Sequence, residues 1–234
     1  MMKRFYKDVA IANVADGAWQ VTLDGRPIRS QGGGQQMVPS KALAEKLAAE
    51  WRAQGEEIDP KSFILRDMAD YAIDVVRAER AETITSLIAY AQTDTLCYRA
   101  DPGDAIFARQ EELWEPLVSA CEARHSIRFA RISGIIHDAQ SADTVSRLEG
   151  VLHRQEDFAL AGLQTLTSIA ASLIVGLEAL EDGADAETLF SAANAEEDWQ
   201  AELWGWDEEA EKRRALRLEA FTHAHEFVRL SRPT

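Results

Sequence analysis

The hydrophobic period changes once along this chain, near residue 60, and that change limits the fold more than any other feature. Before it, apolar and polar residues alternate, as in Phe5-Tyr-Lys-Asp-Val-Ala-Ile-Ala-Asn-Val14 and Trp19-Gln-Val-Thr-Leu23. Each run ends at a tight-turn signal, Ala15-Asp16-Gly17 or Asp24-Gly25, so residues 4–38 read as β-hairpin structure. Arg26-Pro-Ile-Arg-Ser30 and Gln36-Met-Val38 read as further short strands around Gly32-Gly33-Gly34. That triple glycine lacks the Gly-Lys-Ser/Thr of a phosphate loop and reads as a flexible connection. Pro39-Ser40 opens a helix, with Ser40 as N-cap and Leu43, Leu47 and Trp51 as its buried side. From Lys61 onward the period is helical. The expectation is an α+β protein: a small N-terminal β-rich domain over residues 1–60, then a larger all-helical domain over 61–234.

In the helical part, Met68 to Val76 and Ile84 to Leu96 predict two helices or one bent one, ended by Asp101-Pro-Gly103. Residues 104–124 predict an amphipathic helix kinked at Pro116, and Ile127-Arg-Phe-Ala-Arg-Ile132 a lone strand. Helices follow at about 140–157, 158–181, 185–195 and from 196 to near the end. Phe158–Leu177 contains twenty residues without a charge, the length of a membrane span. Gln164, Thr165, Thr167, Ser168 and Ser172 interrupt it and its flanks are acidic, so it reads as one buried central helix.

The net charge of −15 is unevenly placed. Residues 1–60 carry eight basic and eight acidic side chains, so the whole excess lies in 61–234. Between Gln155 and Glu211 stand fifteen acids and no Lys, Arg or His. Such a one-signed region disfavours nucleic acid, whose phosphates need cations, and favours a basic protein surface as partner. The density peaks at Glu196–Glu211, where eight acids and three tryptophans share sixteen positions. Read as one helix, Trp199, Leu203, Trp206 and Ala210 form a single apolar stripe. Gly205 costs about 1 kcal/mol inside a helix, so it marks a bend or a close approach. The stretch is then either a helix that buries its tryptophans or a binding surface, since tryptophan is enriched at interface hot spots.

Motifs that carry chemistry are missing. The sequence has no nucleophile elbow, dinucleotide fingerprint or zinc pair. His223 and His225 would diverge by about 200° on a helix, which suits surface or capping roles better than one metal. Cys97 and Cys121 form no CxxC and read as small buried apolar residues in a reducing compartment. Met1-Met-Lys-Arg-Phe-Tyr6 has no apolar segment of the secretory kind. Two other classes stay open on composition: a hydrolytic enzyme using paired carboxylates such as Glu197 and Glu208, and an acidic mimic that blocks a nucleic-acid-binding protein.

One family carries these residues in the same order. Arg4-Phe-Tyr-Lys, Leu23-Asp-Gly-Arg-Pro, Pro39-Ser, Glu50-Trp-Arg-Ala-Gln54, Ile58-Asp-Pro60 and Ala72-Ile-Asp74 are followed by Thr93-Asp-Thr-Leu-Cys-Tyr-Arg99, Arg109-Gln110 and Trp114-Glu-Pro116. Glu197-Asp-Trp-Gln200 and Trp204-Gly205 complete the series. Over about residues 4–230 the chain resembles the assembly chaperones of the F-type ATP synthase that hold the α subunit before it joins β. The resemblance implies a β-rich N-terminal domain on a larger helical one, no catalysis, no cofactor and no metal. It implies a protein client, the α subunit, held without nucleic acid or membrane insertion by a monomer. The location it implies is the bacterial cytoplasm, or the mitochondrial matrix for a processed form. Its functional acidic position falls on Glu197, among Glu196, Glu197 and Asp198. Trp199, Gln200, Trp204 and Trp206 complete the expected client-binding segment. The Gln31–Gln36 loop departs from the family, where a more regular short connection is usual.

Overall fold

The structure, a computed structural model, describes residues 2–14, 17–133 and 138–232. The Ala15-Asp16 turn and His137 lie outside them. The class is α+β, with a small N-terminal strand region followed by helices. The sequence divides into two compact units: Met1–Arg80 with Glu156–Gly162 and Glu226–Thr234, and Ala81–Gln155 with Leu163–His225. The division near residue 60 follows the change of hydrophobic period, whereas these units follow packing.

In the first unit the strands are β1 (Met2–Lys3), β2 (Val9–Asn13), β3 (Trp19–Leu23) and β4 (Arg26–Pro27). Asp24 and Gly25 take φ of 49° and 79°, the pair of positive values that a two-residue hairpin turn requires. The resulting sheet is antiparallel in the order β2-β3-β4. Of the strand expected at 26–30 only Arg26–Pro27 joins the ladder, Arg29 making a single bridge to Gln35, and the one expected at 36–38 is reduced to the bridge of Val38 with Trp19.

Helix α1 (Lys41–Arg52) begins as expected, with Ser40 Oγ accepting from the Leu43 amide at 3.0 Å and donating to the Leu230 carbonyl. Its apolar side, Leu43, Leu47 and Trp51, packs on β2 and β3. Burying each such side chain contributes about 1.5–3 kcal/mol. Strand β5 (Glu57–Ile58) then pairs with β1, and α2 (Ile64–Tyr71) runs into a π turn at Ala72–Val76. The N-terminus of α2 has no local cap. Glu50 supplies one from α1, accepting from Leu65 N at 2.7 Å and Arg66 N at 2.9 Å.

The same segment anchors the glycine-rich loop. Asp74 accepts from Gly32 N at 2.7 Å and Ser30 Oγ at 2.6 Å, and Asp70 from Gln31 N at 3.2 Å. A Cβ on Gly32 would lie 2.7 Å from Asp74 Cγ, so the glycine permits the close approach. The loop is therefore clamped, not a flexible connection.

In the second unit α3 (Arg80–Gln92), β6 (Tyr98–Arg99), α4 (Phe107–His125) and β7 (Ile132–Ser133) come first. Helix α4 runs through Pro116. The expected strand at 127–132 pairs only at its end, where β7 lies parallel to β6; Ile127 and Phe129 are buried without joining a ladder. Then follow α5 (Ala142–His153), α6 (Asp157–Ala170), α7 (Leu173–Glu178), α8 (Ala186–Ala193), α9 (Ala195–Trp204) and α10 (Glu208–Ser231), with the start of α6 through Gly162 and the end of α10 from Glu226 belonging to the first unit.

The single central helix expected at 158–181 is broken in two. Ala171 has φ 50° and Ser172 caps α7. Fully buried Asp94 fixes the break, accepting from Ser172 Oγ at 2.7 Å and Ile174 N at 3.0 Å. Desolvation pushes its pKa up to about 6. Among the described residues no helix is long and apolar enough to cross a membrane. Cys97 and Cys121 are buried, and burial pushes both thiols up, away from reactivity. His225 is buried too, against the surface or capping role expected of it.

Candidate functional site

The acidic, tryptophan-rich stretch is two helices, not one. Gly205 adopts φ 84° and ψ 159°, a region open to glycine and closed to side-chain-bearing residues. Helix α9 stops there, and Asp207 starts α10 by accepting from Glu209 N at 2.9 Å and Ala210 N at 3.0 Å. The stripe of Trp199, Leu203, Trp206 and Ala210 is therefore interrupted. Instead of burying its apolar residues, the junction exposes them: Leu203 is 56% exposed, Trp204 78% and Trp206 40%. Leu216, on α10, is exposed as well.

The acids around this junction have partners that the local sequence did not disclose. Glu196 accepts from Gln110 Nε2 at 2.7 Å. Glu197 pairs with Arg217 at 3.1 Å, both side chains about two-fifths exposed. Asp198 holds Arg214 through two bonds of 2.7 and 2.6 Å, with both side chains about one-fifth exposed. That bond raises the Arg214 pKa further. Glu202 pairs with Arg109 at 2.7 Å. The same arginines cover aromatic rings: Arg109 lies 5.8 Å from the Trp199 ring centroid and Arg214 5.7 Å from that of Trp206. Gln200 is exposed.

The expected segment thus has Trp199 half-buried and Trp204 exposed. Glu197 and Glu208, the carboxylates considered for acid–base work, take separate cations, Arg217 and Lys212. Sequence reasoning missed Arg109, Arg214 and Arg217 because they lie outside the acidic run. The three-residue spacing of Arg214 and Arg217, which puts both on one helix face, was the available signal.

The model of the ATP12 chaperone protein family matches residues 3–122. The chain belongs to the ATP12 chaperone family. Among solved structures, Atp12 from Paracoccus denitrificans is 34% identical, with TM-score 0.93 over 99% of each chain. An aspartate-to-lysine variant of the same bacterium's Atp12p gives 34% and 0.93 over 99% of this chain and 98% of that one. A protein of Agrobacterium tumefaciens described as a candidate chaperone is also 34% identical, with TM-score 0.91, covering 98% of this chain and 86% of its own.

Several residues of the motif series quoted above are consumed by packing. Gln54 receives Asp59 N, Gln110 seats both Glu196 and Ala100 N, and Trp114 Nε1 donates to the Ala192 carbonyl at 2.7 Å. Arg99, 3% exposed, is held by Glu111 and Glu115. Trp204-Gly205 differs: its glycine makes the break and its tryptophan is left outside.

Proposed function

We propose that this ATP12-family chain holds the unassembled α subunit of an F-type ATP synthase, shields its assembly surface and supports assembly of the soluble catalytic sector. An unassembled subunit exposes the apolar surface that its neighbour later covers, a patch large enough to drive aggregation. The chaperone must cover that surface and then release it, which calls for a few aromatic anchors within a charged surround. Trp204, exposed at the Gly205 break between carboxylates, is the observation that carries this reading. Leu203 and Trp206 extend the apolar area, while Glu196, Glu197 and Asp198, with Trp199 and Gln200, form its flank. The chain acts as a monomer, in the bacterial cytoplasm or, processed, in the mitochondrial matrix.

The test is light scattering by purified α subunit on dilution from denaturant, with and without the chaperone. Trp204→Ser should abolish most of the protection while melting as the parent does. Undiminished protection by Trp204→Ser would place the client elsewhere.

A further inference from the structure

We propose that the first compact unit carries a second binding site, a pocket for a short protein segment that presents an aromatic side chain flanked by carboxylates. The cavity is about 640 Å³ and is bordered by the edge strand β4. Its floor is aromatic. Tyr6 and Trp51 are both buried, meet edge-to-face with centroids 5.5 Å apart, and are tied by the Tyr6 hydroxyl donating to the Trp51 carbonyl at 2.6 Å. Phe5, 63% exposed, lies edge-on to Tyr6 at 5.4 Å. An exposed aromatic ring beside a cavity favours an apolar occupant.

The walls are basic, although the chain as a whole carries −15. Arg26, Arg29 and Arg66 line the pocket. The lining acid, Asp24, already accepts the Lys7 and Asp8 amides at 3.0 and 2.8 Å. Arg66 is spoken for, paired with Asp67 at 2.6 Å and stacked over Phe63 at 4.4 Å. Arg29 gives one bond, to the Gly33 carbonyl at 2.7 Å. Arg26 is exposed, and its charge acts on Asp24, the one acid in the lining, whose oxygen already serves the two amides. Trp51 Nε1 is buried without an acceptor among the described residues.

Three arginines against one lining carboxylate, beside an aromatic floor, are complementary to carboxylate beside an aromatic ring. An extended segment fits better than a nucleotide, because it has the edge strand β4 to lie along, whereas a nucleotide would use the arginines alone. Its lining shares no residue with the Trp204 surface, and it does not depend on which client that surface holds.

The probe is the blocked peptide acetyl-Gly-Asp-Phe-Asp-Gly-amide, titrated into the full chain labelled with nitrogen-15. Saturable shifts of the Trp51 indole N–H and the Phe5 amide are expected, weakened about tenfold by Arg26→Glu, a charge reversal at a contact. Phe5→Ser should weaken the peptide as well; both replaced side chains are exposed, so melting should not change. Trp204→Ser should leave peptide binding intact, which separates this site from the client surface. Equal binding of acetyl-Gly-Lys-Phe-Lys-Gly-amide, displacement by equimolar ATP, or indifference to Arg26→Glu would each overturn the proposal. Self-association in sedimentation that Arg26→Glu abolishes would overturn it too, assigning the pocket to a second copy.

Discussion

Reversing Glu197 and reversing Asp198 should affect stability very differently, although the two residues are neighbours in the sequence. Asp198 and Arg214 are about one-fifth exposed and share two short bonds. Asp198→Lys removes both and sets a second cation beside Arg214, which also lies over Trp206 and Phe190. A partly buried, bidentate pair falls between the 0–1 kcal/mol of exposed pairs and the 3–5 kcal/mol for breaking buried ones, so about 2–3 kcal/mol is lost. For a chain of this size that is roughly 5–10 °C in Tm. Glu197 and Arg217 are 41% and 43% exposed, and solvent screening leaves their pair worth less than about 1 kcal/mol. Glu197→Lys should therefore melt within about 3 °C of the parent. At a client interface the same reversal opposes a basic partner group and should cost several-fold to a hundredfold in α-subunit affinity. The assay pairs thermal melting by circular dichroism with capture of α subunit. Equal melting of the two variants would refute the partner assignment, and unchanged capture by Glu197→Lys would refute the contact. Asp198→Lys cannot serve as a neutral control, because its loss of binding would accompany loss of structure.

Gly205→Ala should lower stability by about 1–3 kcal/mol through backbone strain alone, because a Cβ there meets nothing within 4 Å; a melting temperature equal to the parent's would contradict the assigned φ of 84°. Burial raises Asp94 from 3.8 to about 6, so between those values the native protein holds a proton that the unfolded chain has released. Stability should therefore rise as pH falls from 7.5 to 5.5, by about 1 kcal/mol or some 2–4 °C. Glu50, Asp70 and Glu178, also raised by burial, act in the same direction, while His125, lowered by burial, opposes them below 6.5. A Tm that falls over this range, in the parent and in His125→Gln alike, would refute the burial argument. The domain boundary proposed near residue 60 predicts a first proteolytic cut in the exposed 59–62 stretch, with the fragments still associated because Asp70 holds Gln31, Asp74 holds Gly32 and Leu230 holds Ser40. A first stable fragment ending within 81–155 would count against it.

Local periodicity alone determined several features. The hairpin at Asp24-Gly25 and the Ser40 cap depend on a few adjacent residues, and alternation of period two leaves the sheet no other face to bury. The helical class of the chain after Lys61 was legible for the same reason. The motif series, quoted in order, sufficed for the family. What the sequence did not reveal depends on residues far apart along the chain. Asp94 interrupts an uncharged run some eighty positions away, and Asp74 clamps a loop that by composition should be free. The acidic stretch shows the same limit at the candidate site. Its eight acids were visible as a run, but Gly205 decides that Trp204 faces outward, and Arg109, Arg214 and Arg217 decide which acids are already paired. Charge is additive along a sequence, whereas pairing depends on which side chains the tertiary fold brings within bonding distance, and here that distinguishes a structural carboxylate, Asp198, from an exposed one, Glu197.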